Sequence, residues 1–121
     1  MLAAMSGTRL SIRLDLATGD RIGPGKIALL EAIRDTGSIS AAARALGLSY
    51  RRAWLLVEEI NQALREPAVA AAMGGRRGGG AVITPTGTRM VRLYRAIETG
   101  AREVAGGEFR AIGKLVRPAK A

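Results

Sequence analysis

With 121 residues, 48% of them apolar and 24% charged, the chain has the length and composition of one folded domain of ordinary size. It contains neither Cys nor His, which excludes disulfides, thiolate or imidazole zinc sites, a Cys nucleophile and a His general base; a carboxylate metal site or carboxylate pair stays formally open. Nineteen Lys and Arg against ten Asp and Glu leave a net charge of +9, and a basic domain points first to a polyanion, most often nucleic acid.

Aromatic residues make up only 3%, so Leu, Ile, Val and Ala must build the core. At the N-terminus, Leu10, Ile12, Leu14 and Leu16 alternate with Arg9, Ser11, Arg13 and Asp15, the period of a strand with one buried face. Gly19-Asp20 and Gly23-Pro24-Gly25 mark turns. From about Lys26 to Thr36, Ile27, Leu30 and Ile33 fall at helical spacing, with Gly37 placed for a left-handed C-cap. Ser38 caps a second helix running to about Leu46, with Ala42, Ala43 and Leu46 inward and Gly47 ending it. Ser49 caps a third, whose inner stripe is Ala53, Leu56, Val57, Ile60 and Leu64, closed by Pro67. Ala68–Met73 and Ala81–Thr84 read as two short strands around a glycine-rich loop carrying Arg76 and Arg77. Thr84-Pro85 caps a long last helix to about Val104, with Met90, Leu93, Tyr94, Ile97, Ala101 and Val104 on one side. Gly106-Gly107 is expected to stop it. The spacing therefore predicts a domain over residues 1–105 and a basic tail over 106–121.

Two helices joined by Leu46-Gly47-Leu48-Ser49, the second opening on Ser49, Tyr50, Arg51 and Arg52, have the layout of a helix-turn-helix DNA reader. Arg donates two bonds to guanine, while hydroxyls and free N–H groups at a helix start bind phosphate. An ordinary helical hairpin with solvated arginines is the alternative. A β-hairpin after such a pair makes a winged helix, whose arginine-bearing tip would follow the DNA backbone or enter a narrow minor groove. A cationic loop without a partner is the alternative there.

The run Gly37-Ser38-Ile39-Ser40-Ala41-Ala42-Ala43-Arg44-Ala45-Leu46-Gly47-Leu48-Ser49 resembles the first half of the LysR-type winged helix-turn-helix. Its continuation Tyr50-Arg51-Arg52-Ala53-Trp54-Leu55-Leu56-Val57-Glu58-Glu59-Ile60-Asn61 is similar to the DNA-binding domain of ModE-type molybdate-responsive regulators. The glycine-rich tip, Ala81-Val82-Ile83-Thr84-Pro85-Thr86-Gly87 and the leading Arg21-Ile22-Gly23 extend the resemblance over roughly residues 9–104. It implies an α+β, mostly α fold: a winged helix-turn-helix with an N-terminal strand, a β-hairpin wing and a long C-terminal dimerisation helix. It also implies a homodimeric transcription factor binding double-stranded DNA through Ser38, Ser49, Tyr50, Arg51, Arg52, Arg76 and Arg77. Dimerisation is expected through Met90, Leu93, Tyr94, Ile97, Ala101 and Val104. ModE-type repressors continue into small β domains that hold molybdate, and only 17 residues follow Val104. No molybdate binding by this chain alone and no cofactor are therefore expected.

Other features fit worse. Gly23-Pro24-Gly25-Lys26-Ile27-Ala28 formally matches a dinucleotide fingerprint, but neither a second strand nor the acidic residue follows. Gly113-Lys114 lacks the remainder of a phosphate loop. Glu58 and Glu59 point about 100° apart on a helix, unsuited to paired acid–base work, and both are expected to be solvated. Trp54 falls one residue off the inner stripe, a packing position. No catalytic set is present, so an enzyme is not expected. No apolar run approaches the roughly 18 residues of a membrane span and no secretory segment is recognisable, so no membrane partner and a cytoplasmic location are expected. The function expected is that of a sequence-specific bacterial transcriptional regulator. Two rivals remain: a nonspecific or architectural DNA-binding protein, and a winged-helix protein-interaction adaptor.

Overall fold

A computed structural model of the chain describes residues 7–72 and 80–119. Leu10, Ile12, Leu14 and Leu16 are half-buried and the residues between them exposed, as the alternation predicts. Only a short ladder forms, however: β1 (Leu14–Asp15) pairs antiparallel with β2 (Arg21–Ile22), an element the sequence reading missed. The partner segment is cut short because Gly23 is the N-cap and Pro24 the first residue of α1 (Pro24–Thr36). Proline's fixed φ and missing N–H suit that position, so the helix begins two residues before Lys26. Ile27, Leu29, Leu30 and Ile33 of α1 are fully buried. This helix is the central element, packed against β2 and against segments 39–46, 50–63, 81–83 and 85–104. Gly37 ends it in the left-handed conformation (φ 78°).

The next helix, α2, spans Ile39–Leu46 and buries Ala42 and Ala43. Leu46, expected inward, is exposed. Gly47 turns left-handed (φ 69°), and the Leu48 N–H donates to the Ala43 carbonyl at 2.8 Å, so Leu48 takes the core-facing place instead. The third helix, α3, spans Tyr50–Ala63 and buries Ala53, Val57 and Ile60. It stops before Pro67, with Leu64 already extended.

A second antiparallel hairpin follows: β3 (Val69–Ala71) and β4 (Ala81–Ile83), with Val69 opposite Ile83 and Ala71 opposite Ala81. Thr84 then caps α4 (Pro85–Val104): its hydroxyl accepts from the Gly87 N–H and donates to the Pro67 carbonyl at 2.6 Å. The expected stop at Gly106-Gly107 does not occur. A single residue, Ala105, bends the chain, and α5 (Gly106–Leu115) follows, so most of the expected tail is helical.

Two polar links fix α4 to the rest. The buried Tyr94 hydroxyl donates to the Ile12 carbonyl, and that burial pushes its pKa up. Arg95 donates twice to the Glu31 carboxylate of α1 (2.6 and 3.1 Å) and once to the buried Glu98 (2.7 Å); these bonds hold the guanidinium firmly charged. The architecture is α+β and mostly helical, with two small hairpins flanking a helical core.

Candidate nucleic-acid interface

Gly47 and Ser49 set how α3 meets solvent. The Ser49 hydroxyl accepts from the Arg52 N–H at 3.0 Å and so fixes the first turn. Ser38 does the same for α2, accepting from the Ala41 N–H at 3.0 Å. Both hydroxyl oxygens are thus occupied as caps, while each O–H remains a donor. In α3 the buried Ala53, Val57 and Ile60 define the inner side. Arg51 and Leu55, one turn apart, lie on the opposite side; Arg52 and Glu59 flank them on one edge, Tyr50 and Trp54 on the other. Arg51 and Arg52 are exposed and have no ion-pair partner among the described residues. Arg13, Lys26, Arg34 and Arg95, in contrast, each hold a carboxylate. Free guanidinium groups on an exposed helix start can donate to base edges or phosphates.

Glu58 and Glu59 are not simply solvated. Glu58 is half-buried, and Glu59 binds Lys26 at 3.1 Å, while the same Lys26 ammonium donates to the Arg21 carbonyl at 2.7 Å. Trp54 stands with Tyr50 at a groove of about 310 Å³ between α3 and the second hairpin.

Asn61, which sequence reasoning passed over, joins that hairpin to α3. Its carbonyl oxygen accepts from the N–H groups of Ala68 (2.8 Å) and Val69 (3.2 Å), and its amide donates to the Val69 carbonyl (3.0 Å). The available signal was an amide two turns after Trp54, on the same edge of α3 and shortly before a strand. On the other edge, the Ala81 N–H donates to the Gly37 carbonyl at 2.9 Å, fixing β4 to the turn that starts α2. The hairpin is therefore held to α3 through β3 and to the α1–α2 turn through β4. Arg76 and Arg77 lie outside the described residues.

The residues expected to dimerise do not share one environment. Tyr94 belongs to the core of the single chain, because its hydroxyl reaches back to the N-terminal segment, and Met90 packs against that core. Ala101 is half-buried. Leu93, Ile97 and Val104 are 47%, 48% and 87% exposed. No group of His, Cys, Asp and Glu fit to hold a metal ion occurs among the described residues, and none of their helices is long and apolar enough to cross a membrane.

No protein-family model matches the chain. Over 83 residues it is 55% identical to the molybdenum-pterin-binding protein MopB of Rhodobacter capsulatus, covering 69% of this chain and 31% of that protein. It is 38% identical over 125 residues to the molybdenum transport protein ModE of Azotobacter vinelandii, covering 93% of this chain and 46% of the relative. With the DNA-binding transcriptional dual regulator ModE of Escherichia coli (strain K12) it shares 45% identity over 71 residues, 59% of this chain and 27% of that one. The chain thus spans less than half the length of these curated relatives. Their names denote binding, transport and regulatory proteins and indicate no enzyme family.

Proposed function

We propose that the chain is a ModE-type, sequence-specific transcriptional regulator: a winged helix-turn-helix that binds double-stranded DNA as a homodimer. In this proposal α3 is the recognition helix and the β3–β4 hairpin the wing. One observation carries it: the capped, exposed start of α3 presents the unpaired guanidinium groups of Arg51 and Arg52 beside a hairpin fastened to the same helix. Similarity to a named DNA-binding regulator supports it. Ser38, Ser49 and Tyr50 join as hydroxyl donors to phosphate, and Arg76 and Arg77 as wing contacts. The described residues act on DNA and do not themselves hold a molybdenum oxyanion. Such a site needs several converging donors on a rigid frame, whereas the free arginines of α3 lie on an open face.

The test is duplex binding by the full chain at several salt concentrations, with and without molybdate. A regulator prefers its selected site over random duplex by roughly 10³-fold or more, and molybdate leaves both affinities unchanged. Arg52→Ala loses about ten- to a hundred-fold on the selected site and less on random duplex if the side chain grips a guanine. Equal losses on both make Arg52 a phosphate contact. A specificity ratio near one identifies an architectural protein, and absent, salt-insensitive duplex binding an adaptor. A molybdate-dependent shift places an oxyanion site in this chain.

A further inference from the structure

Three large apolar side chains stand exposed on α3: Tyr50 at 55%, Trp54 at 43% and Leu55 at 38%. Tyr50 and Trp54 line the groove against the second hairpin, which accounts for their character. Leu55 stands apart from that groove. On its own helix its neighbours at three and four residues are Arg51, Arg52, Glu58 and Glu59, so it is an isolated aliphatic group among charges, on the face opposite Ala53, Val57 and Ile60.

We infer that Leu55 reads a thymine methyl group in the major groove, as the apolar partner of Arg51 on the recognition face. This rests on the DNA-binding function proposed above. The groove edge of every base pair is lined with donors and acceptors, and the thymine methyl is its one apolar group. A leucine pressed against any other base edge strips water from polar atoms and returns no hydrogen bond, so it discriminates by penalty as well as by attraction. It cannot serve a phosphate at all. The charges around it bound the reading face: Arg51 and Arg52 precede Leu55, and the next turn carries the carboxylates of Glu58 and of the Lys26-paired Glu59, neither of which can donate to a phosphate. Leu55 is thus the last residue of α3 able to lie deep in the groove. Four residues separate it from Arg51, about 6 Å along the helix axis, against about 3.4 Å per base step. The methyl it reads therefore lies one or two base pairs from the pair that Arg51 contacts.

Methyl readout is separable from everything else by chemistry on the DNA. A duplex selected from a random library by the full chain is remade with each thymine in turn replaced by deoxyuridine, which pairs identically and lacks only the methyl. The wild-type protein is expected to weaken about four-fold at one thymine of each bound repeat, the worth of one buried methyl group. At every other thymine the change is negligible. Leu55→Ala is expected to fold normally, because the side chain is exposed, and to bind thymine and deoxyuridine duplexes alike while keeping its preference for the selected site. A wild-type profile flat across every thymine, with site preference intact, overturns the inference and leaves the function standing. So does a deoxyuridine penalty that persists in Leu55→Ala. Loss of all site preference in the wild type overturns both.

Discussion

A Cβ atom at position 87 would run into the carbonyl oxygen of Ala68 and come within 2.6 Å of Cγ1 of Ile83. The Gly87 N–H is also committed to the Thr84 hydroxyl, so the first turn of α4 cannot slide away from the hairpin base. Neither obstacle is the far end of a flexible side chain, and relief would require moving backbone. Gly87→Ala is therefore expected to destabilise the fold by about 1–3 kcal/mol despite alanine's better helix propensity. Urea denaturation would show it as a lower midpoint with an unchanged slope; equal or greater stability would mean that the close approach is not rigid. The sequence announces half of this feature. Thr84-Pro85 is legible as a cap because both residues act locally, but the need for glycine comes from Ala68, 19 residues upstream, and no local pattern encodes that. Tyr94 is the same kind of case: its place in the helical stripe is readable, while the Ile12 carbonyl that draws it inward is 82 residues away.

At the scale of elements, one side chain joins the hairpin directly to α3. Asn61 satisfies two N–H groups and one carbonyl of the Ala68–Val69 segment. Removing it in Asn61→Ala leaves those groups to find water or each other, at a cost of about 1–3 kcal/mol. The hairpin would also lose its direct link to α3. Affinity for selected and random duplexes should then fall together, and the dependence on salt should flatten, if the contacts proposed for Arg76 and Arg77 are lost with that link. Titrations at three salt concentrations decide this; an unchanged slope would separate the hairpin from DNA binding. The five helices differ in how plainly they were written. Four of them, α1 to α4, were readable within a few residues, because caps and apolar spacing agree in each. The fifth, α5, was hidden by Gly106-Gly107, which reads as a stop. Helical bonding resumes there at once, the Phe109 N–H donating to the Ala105 carbonyl at 2.9 Å, with Gly106 buried and Phe109 half-buried. The short β2 strand was hidden likewise, since two residues are too few to show a period.

For the whole molecule, the decisive question is whether two copies present their α3 helices to one duplex at once. α4 is 20 residues long, roughly 30 Å, and uses one face internally: Gly87, Val91, Tyr94 and Glu98 are buried, with Arg95 clamped between Glu31 and Glu98. Its outer face carries Leu93, Ile97 and Val104 exposed, with Gly100 among them. The spacing of four, three and four residues is that of a coiled-coil seam. Gly100 adds room for close approach, since a Cβ there would meet nothing within 4 Å. An isolated domain gains nothing from this row of apolar side chains, whereas a symmetric second copy would bury it against its own equivalent. The two α3 helices would then face successive major-groove segments, about one DNA turn apart or a multiple of that. Ile97 sits at the middle of the seam and outside the core cluster, so Ile97→Asp should spare the fold and break the pair by burying two carboxylates against each other. Sedimentation at micromolar concentration should show a dimer for the wild type and a folded monomer for Ile97→Asp. The variant's melting temperature should lose its concentration dependence, and its affinity for a two-repeat site should approach that for a single repeat. A wild-type chain that sediments as a monomer at that concentration, or an Ile97→Asp protein that remains dimeric, would remove α4 as the dimer axis.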